Sequence, residues 1–404
     1  MINVVIIAAA LAWGFVTLGP ERLHSKSWRA TVTPLASIIG SGFLVAGPIL
    51  GHVAGDFAVL AMAGLCALAY LFGAAIRFNI RHVEPALADH PTGTLSGLNL
   101  ASHFSLAFAY FISVAYYLNL FAAFVLKGAG IVDPLWTEII ATIVIVTLGI
   151  VGFTRGLKSL ENVELIAVGI KLALIGGVVA GLAYWAARAA ITGAAFVEPV
   201  EHVAGFHAFR VLLGLVILVQ GFETSRYLDE AYDQTMRIRS MRRAQWIATA
   251  VYVVYIIAVT PHLTGSLPAA GGETQIIDML RPLAVVIAPA ILLTAVASQI
   301  SAAVADMNGA SGLLADYGGE KLNMRWGYAI TAAAALGVTW AANIFEIITW
   351  ASKAFVLFYG LQSVTTLYTA IRLKKGSLSI IIVGTVGVIA ALAVIFLGVP
   401  AEGG

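Results

Sequence analysis

The chain has 404 residues, of which 60% are apolar and only 11% are charged, and its mean hydropathy is +0.94. Soluble domains carry about 25% charged residues, so this composition indicates a polytopic membrane protein. A net charge of +2 without a basic, aromatic-rich run argues against a nucleic-acid partner, and the single cysteine excludes an internal disulfide and motifs built on cysteine pairs.

Apolar windows long enough to cross a membrane follow one another along most of the chain. A spanning helix needs about 20 mostly apolar residues, and twelve such windows are present: 2–19, 33–53, 57–80, 104–126, 135–153, 163–186, 207–227, 244–263, 283–306, 325–342, 345–370 and 378–399. The first window is interpreted as a retained helix rather than a signal peptide, because its positive charges follow the apolar stretch.

The basic residues divide unevenly between the loops. If the loop 21–32 lies in the cytoplasm and the spans alternate, the cytoplasmic side holds 16 of the 23 positive charges: Arg22, Lys26, Arg29, Arg77, Arg81, Arg155, Lys158, Arg237, Arg239, Arg242, Arg243, Lys321, Arg325, Arg372, Lys374 and Lys375. Cytoplasmic loops of membrane proteins carry such an excess. The pattern predicts a multi-pass protein of the plasma (inner) membrane with both termini outside.

Two of the windows contain residues that interrupt a helix. The window 33–53 carries Gly40-Ser41-Gly42 in "IIGSGF", and the window 207–227 carries Gly221 and Glu223 in "VQGFETS". Irregular backbone at membrane depth is tolerated only where it is buried or lines a cavity, and an ionisable residue there usually has a function. Close helix packing is the alternative explanation of the glycines.

The two interrupted windows are the first helices of two sets of five. Because five is an odd number, such sets enter the membrane from opposite sides, and paired breaks in inverted repeats indicate a transporter's central site. We predict an all-α, five-plus-five inverted repeat with discontinuous helices 1 and 6 and one extra helix at each end. The predicted divisions are 1–30 (N-terminal helix and loop), 31–190 and 191–372 (the two repeats) and 373–404 (the C-terminal helix).

Unwinding at these breaks would free backbone groups for a ligand. Amide hydrogens at the start of a half-helix suit a carboxylate, and free carbonyl oxygens at the second break suit an ammonium group, so a zwitterion fits both. Aromatic side chains nearby would cover the ligand. The predicted substrate-binding residues are Ile39, Gly40, Ser41, Gly42, Gln220, Gly221, Phe222 and Tyr116.

Several stretches resemble one family, in that family's order. "IIGSGFLVAGPIL" resembles the first helix of the amino acid, polyamine and organocation (APC) permeases, and Glu84 followed by "HPTGT" is similar to the stretch between their second and third helices. "GFTRGLKSLENVELIAVGIK" and "GFETSRYLDEA" look like the family's fifth and sixth helices. The resemblance implies transport of amino acids or related amines, whereas the extra N-terminal helix is more similar to sodium/solute symporters of the same fold.

Ionisable and hydroxyl side chains inside the spans are the candidates for ion coupling. By the resemblance, Lys171 has the position at which a lysine amine fills the space that sodium takes in sodium-coupled relatives. Burial disfavours the charged form of an amine or a carboxyl group, so Lys171 and Glu223 can carry a proton. The alternatives are a lysine that snorkels to the interface and a structural Glu223. Ser298 and Ser301 would either bond Lys171 or supply oxygen ligands to sodium.

We therefore predict a secondary active transporter for an amino acid or related amine or organocation, working by alternating access, with proton coupling preferred. Sodium-coupled symport on the same fold is the nearest alternative, and a transporter-like sensor or an uncoupled channel is the second. The expected partners are a small-molecule substrate and the lipid bilayer. No enzymatic activity, cofactor, metal site or nucleic acid is expected; the substrate, symport against exchange, the direction and the oligomeric state stay open.

Overall fold

The structure is a computed structural model that describes residues 1–19, 25–89, 93–157, 161–192, 202–203, 205–228, 231–263, 266–317 and 322–401. In these ranges the chain forms helices and turns and no strand. The α-helices are α1 (Ile2–Leu18), α2 (Lys26–Ala54), α3 (Ala58–Asp89), α4 (Thr94–Gly128), α5 (Pro134–Arg155), α6 (Glu161–Thr192), α7 (Gly205–Leu213), α8 (Gln234–Val259), α9 (Ile276–Leu280), α10 (Ile287–Tyr317), α11 (Met324–Ala341), α12 (Ile344–Arg372) and α13 (Leu378–Leu397). Short 3-10 helices cover Gly55–Phe57, Val216–Val219, Phe222–Tyr227, Thr260–His262 and Gly272–Thr274.

Each of the predicted windows coincides with a helical segment. By length and composition, 8 helical runs among the described residues are able to cross a membrane, and the longest, Lys26–Asp89, contains both α2 and α3. The shorter α1 and α11 and the interrupted segment from α7 to Tyr227 occupy the remaining windows. The predicted succession of helical spans is confirmed.

The contacts between helices have the symmetry of two related sets of five. The first set is α2 to α6; the second is the interrupted segment followed by α8, α10, α11 and α12. Three helices pack against their own counterparts: α3 against α8, α4 against α10 and α5 against α11. The other two contacts are equivalent under the repeat symmetry: α4 packs on α12, and their counterparts α10 and α6 also pack on each other. Sets with an odd number of helices are inverted relative to each other; their residue bounds stay predictions.

The predicted break in the first repeat is wrong, because α2 runs as one α-helix from Lys26 to Ala54. The glycines serve close packing instead. A Cβ atom at Gly42 would lie 2.6 Å from the Cα atom of Leu218, and one at Gly40 would lie 3.3 Å from the Cβ atom of Ala302. The missing side chains let neighbouring segments approach α2, and these contacts offset the ~1 kcal/mol that a glycine costs inside a helix.

The predicted break in the second repeat is confirmed. Helix α7 ends at Leu213, a 3-10 helix covers Val216–Val219, and a second 3-10 helix begins at Phe222. Gly221 between them has a φ of 115°, a conformation that glycine adopts without a steric penalty. A Cβ atom there would lie 2.6 Å from the amide nitrogen of Ile38, so the break rests directly on α2.

The extra N-terminal helix α1 packs along α6, which offers it a stripe of glycines. A Cβ atom at Gly176 would overlap the Trp13 side chain, and one at Gly177 would lie 2.7 Å from the carbonyl oxygen of Ile6. Small residues allow this close approach between helices in a membrane. Helix α1 therefore covers one side of the helix that carries Lys171.

Basic residues collect at one end of the bundle, which we call the basic face. It contains the start of α2, the end of α3, the start of α8 and the end of α12. Hydrogen bonds from Arg243 to Ser27 and from Arg237 to Glu84 join three of these helix ends. The described basic residues in or next to these helix ends are Lys26, Arg29, Arg77, Arg81, Arg237, Arg239, Arg242, Arg243, Arg372, Lys374 and Lys375.

Candidate functional site

The Lys171 side chain reaches from α6 to the middle of α2. Its amine donates hydrogen bonds of 3.1 Å to the carbonyl oxygen of Ala36 and of 3.1 Å to Oγ of Ser298 on α10. Ser298 donates in turn to the carbonyl oxygen of Gly40, 3.3 Å away. Lys171 is only 3% exposed, so it does not snorkel to an interface. We call Lys171, Ala36, Gly40 and Ser298 the Lys171 site.

Little free space remains beside this amine. A cavity of about 10 Å³ lies between α2, α6 and α10, with Lys171, Gly40 and Ser298 among its lining residues, and this volume holds about one water molecule. The amine therefore fills a position among neutral oxygen atoms. Ser301, the other predicted serine, is half-buried one turn further along α10, and among the described residues it forms no hydrogen bond with Lys171.

Glu223 is fully buried at the break of the second repeat. Its Oε2 atom accepts hydrogen bonds of 2.9 Å from the amide of Gly221 and of 2.7 Å from the hydroxyl of Tyr359. Its Oε1 atom, and Oε1 of Gln220, have no hydrogen-bond partner among the described residues. Buried polar atoms are normally paired, so two unpaired acceptors on either side of Gly221 suit a ligand that donates hydrogen bonds.

Aromatic rings enclose this break. Phe222 stacks on Tyr359 with ring centroids 5.0 Å apart, and Phe72 stacks on Tyr359 at 5.1 Å. Gln220 Nε2 donates a 2.7 Å hydrogen bond to the hydroxyl of Tyr117. The tyrosine of α4 that contacts the break is therefore Tyr117, and Tyr116 packs on the Tyr117 ring with centroids 5.2 Å apart.

The predicted binding residues of α2 lie beside the break but inside an intact helix. Ile39, Gly40 and Gly42 are buried, and the side chain of Ser41 lies outside the described part of the structure. In a continuous α-helix each amide donates to the carbonyl oxygen four residues earlier, so these amides are not free donors here. Their role in binding a carboxylate stays a prediction.

Tyr252 of α8 links the first helices of the two repeats. Its hydroxyl oxygen lies 2.8 Å from the carbonyl oxygen of Ile38 in α2 and 2.6 Å from the carbonyl oxygen of Leu218 in the interrupted segment. Both carbonyls are buried. The intact helix and the broken one are therefore connected through a single side chain.

An ion cluster lies between the break and the basic face. Arg237 donates a 2.7 Å hydrogen bond to Oε2 of Glu84, and Nε of Arg226 lies 3.6 Å from Oε1 of the same carboxylate. Arg226 also donates to the side chains of Gln362 and, over 3.0 Å, Asn99. Each arginine is only 5% exposed. The cluster, which we call the Glu84 cluster, joins α3, α4, α8, α12 and the segment after the break.

Two further buried polar groups lie near the centre. Asp306 of α10 is 1% exposed and accepts a hydrogen bond from Ser113 of α4. An acid inside an apolar span is a visible signal for such a group in the sequence. Tyr359, the partner of Glu223, gave no such signal, because nothing in the sequence distinguishes it from the other tyrosines.

Comparisons with known proteins agree with this architecture. Two solved structures have a similar fold: MHP1, a nucleobase-cation-symport-1 family transporter in a closed conformation with bromovinylhydantoin bound (TM-score 0.53, 13% identity, 90% of each chain covered), and a Na+-coupled sialic acid symporter in a substrate-bound outward-open state (TM-score 0.54, 13% identity, 100% of this chain and 98% of that one covered). At this identity the likeness concerns the fold alone.

The sequence comparisons identify the family. A relative from Aquifex aeolicus (strain VF5), described as an uncharacterized protein, is 40% identical over 351 residues, which are 86% of this chain and 85% of the relative. A family model described as APC superfamily transporter matches residues 20–398. The chain therefore belongs to the APC superfamily of transporters.

Proposed function

We propose that this protein is a proton-coupled secondary active transporter for an amino acid or a related amine or organocation, working by alternating access. We further propose that it lies in the plasma (inner) membrane with the basic face in the cytoplasm and both termini outside. The gathering of Lys and Arg at one end of the bundle supports this orientation.

The unpaired oxygen atoms at the break support the substrate class. Oε1 of Glu223 and Oε1 of Gln220 are buried acceptors on either side of Gly221, and an ammonium group brings only donors. The fully buried Phe222 beside them supplies apolar cover. The helical amides of α2 lend no support to a carboxylate site, so the proposal rests on the ammonium end of the substrate.

The Lys171 site carries the proposal of proton coupling. Sodium sites in proteins are built from carbonyl and hydroxyl oxygens, like those of other hard cations, and here a lysine amine bonds to such oxygens from α2 and α10. The amine already occupies the Ala36 carbonyl oxygen and the Ser298 hydroxyl, two oxygen atoms that a sodium ion at this point would need. The lysine amine is covalently attached to the chain and is not itself transported as a sodium ion would be. It binds and releases a proton instead.

Transport by purified protein in proteoliposomes tests this proposal. A thermal-shift screen against amino acids and amines selects the substrate, because a ligand that binds the folded state raises the Tm. Uptake of that substrate is then measured without sodium, with and without a pH gradient. We expect a pH gradient to drive uptake, and we expect Lys171→Ala to abolish this dependence while the substrate still raises the Tm.

Lys353→Ala is the matched control, because Lys353 is a half-buried lysine of α12 outside the Lys171 site. Its uptake should follow the pH gradient as in the parent protein. Uptake by Lys171→Ala that still follows the gradient would refute the coupling role. A screen in which no amino acid, amine or organocation raises the Tm would refute the substrate class.

Sodium-coupled symport is the second candidate. The carbonyl oxygens of Ala36 and Gly40 and the hydroxyl of Ser298 meet at one point between α2 and α10, and such oxygens also suit sodium. One of the proteins of similar fold is described as a Na+-coupled symporter. This candidate predicts that uptake requires sodium in the same proteoliposomes, whatever the pH gradient.

A further inference from the structure

An apolar groove runs along the outside of the bundle between α1, α6 and α8. Its volume is about 530 Å³, and Trp13, Leu172, Ile175, Ile247 and Val254 are among its lining residues. Trp13 is 51% exposed and Val254 is 49% exposed, so the groove is open along its length. Its volume falls within the range of small-molecule sites, roughly 300–1,000 Å³. The glycine contact between α1 and α6 forms its floor.

At the basic face the groove continues into a pocket with a more polar lining, which includes Ser25, Ser27, Thr31 and Arg243. This polar pocket has a volume of about 400 Å³ and shares Trp28 and Ile247 with the groove. Arg243 lines it, is exposed, and donates a hydrogen bond to Ser27. In the described part of the chain Arg243 belongs to no ion pair. Helix α2 begins here with Ser25 as its N-cap, so the positive end of that helix adds to the charge of Arg243.

We propose that the groove and the polar pocket together bind one anionic phospholipid, with an acyl chain in the groove and the phosphate at Arg243 and the start of α2. The two surfaces follow each other in the order that such a lipid requires, apolar within the span and cationic at its end. Basic pockets at the ends of transmembrane helices bind anionic headgroups, and a guanidinium binds a phosphate through paired hydrogen bonds. Lys26 and Arg29, both exposed in the first turns of α2, favour net negative charge over a zwitterionic headgroup.

The bound lipid contacts the helix that carries Lys171. Leu172 and Ile175 line the groove, and Ile175 also lines the small cavity beside the Lys171 amine. A single side chain therefore separates the acyl chain from the Lys171 site. This proximity makes the lipid able to influence the coupling site, and the proposal holds whether the coupling ion is a proton or sodium.

Fluorescence quenching by brominated lipids tests the proposal on the full-length protein. The protein is reconstituted in phosphatidylcholine, and either phosphatidylglycerol or phosphatidylcholine with dibrominated chains is titrated in. The signal of Trp13, which lines the groove, is the difference between the parent protein and Trp13→Phe. We expect dibrominated phosphatidylglycerol to quench it at about fivefold lower mole fraction, the preference that one basic residue gives near an anionic lipid.

Arg243→Gln should remove that preference, because the guanidinium that meets the phosphate is gone. Arg372→Gln, an exposed arginine of the same face at the end of α12, is the matched control and should keep it. Ala180→Phe, which fills the groove from α6, should weaken quenching by both lipids. Equal quenching by both headgroups in the parent protein, or an unchanged preference in Arg243→Gln, would mean non-selective annular lipid and overturn the proposal. None of these results depends on transport.

Discussion

The amine of Lys171 donates a hydrogen bond to the carbonyl oxygen of Ala36, and both residues belong to the first repeat. The 3.1 Å bond to Ser298 brings in α10 from the second repeat. One amine thus connects three helices and both repeats. Substitutions around it distinguish the stability that its hydrogen bonds contribute from the stability that core packing contributes.

Ser298→Ala should destabilise the protein by about 1–3 kcal/mol, because a buried amine loses one of its hydrogen-bond acceptors. Thermal denaturation of the purified variant measures the effect. Ser301→Ala is the control, since Ser301 lies one turn away outside the Lys171 site, and its change should be less than about 0.5 kcal/mol. Equal effects of the two substitutions would show that the contact to Ser298 has no special weight.

Gly42→Ala should lower the Tm, because the added Cβ atom would lie 2.6 Å from the Cα atom of Leu218. Backbone cannot swing aside as a side chain does, and overpacking of this kind costs typically about 1–3 kcal/mol. Gly64→Ala is the comparison, since no atom lies within 4 Å of its added Cβ, and alanine favours the helix by about 1 kcal/mol. A Gly42→Ala variant as stable as Gly64→Ala would contradict the close contact.

Tyr359→Phe should destabilise the protein by about 1–3 kcal/mol, because Oε2 of the fully buried Glu223 loses its hydroxyl donor. Glu223→Gln changes the other partner of the same bond. The free energies of unfolding of the single and double variants form a cycle, and residues in direct contact deviate from additivity by roughly 0.5–3 kcal/mol. Simple additivity would argue against the bond.

Glu84→Gln should open the basic face more often, because Arg226 and Arg237 lose their shared carboxylate while both stay buried. The native Cys66 is the only cysteine and is buried where α3 packs on α8, so its rate of alkylation reports the separation of these two helices, which the bond between Glu84 and Arg237 holds together. The rate should increase about tenfold for each ~1.4 kcal/mol taken from the closed state.

Asp278→Asn is the control for that experiment, because it breaks an ion pair with Lys127 whose acidic partner is 52% exposed. Exposed pairs contribute only about 0.2–1 kcal/mol, so alkylation of Cys66 should stay close to the parent rate. Alkylation of Cys66 that is faster in Asp278→Asn, or unchanged in Glu84→Gln, would show that the Glu84 cluster does not hold the basic face closed.

The sequence predicted the helical spans because apolar windows of membrane length need no tertiary information to be recognised. It predicted the break at Gly221 because an acid beside a glycine inside a span has few structural explanations. The break predicted from the glycines alone, at Gly40 and Gly42, was wrong, and the alternative of close packing applies there. A glycine that unwinds a helix and a glycine that admits a neighbour look alike in one sequence, and only the position of Leu218 separates the two.

The same limit applies to predicting which side chains of the site contact each other. A bond between Lys171 and Ser298 was one of the two alternatives predicted for that serine, and the structure contains it. The structure bonds Ser298 rather than Ser301 to Lys171, and Tyr117 rather than Tyr116 to Gln220, because one helical turn or one residue decides which side chain faces a given partner. Tyr359 and Glu223 are 136 residues apart in the chain, and no local pattern predicts such a pair.

The bridge formed by Tyr252 has a consequence for motion between the repeats. A hydroxyl has one hydrogen, yet two carbonyl oxygens lie within 2.8 Å of this one. The proton is therefore shared, and Tyr252 donates to only one of the two carbonyl oxygens at a time. If the broken helix moves against α2 as the proposed alternating access requires, the hydroxyl can turn its hydrogen to the carbonyl oxygen that stays near. The hydroxyl of Tyr252 then keeps one hydrogen bond throughout such a movement, which lowers the free energy that the movement requires.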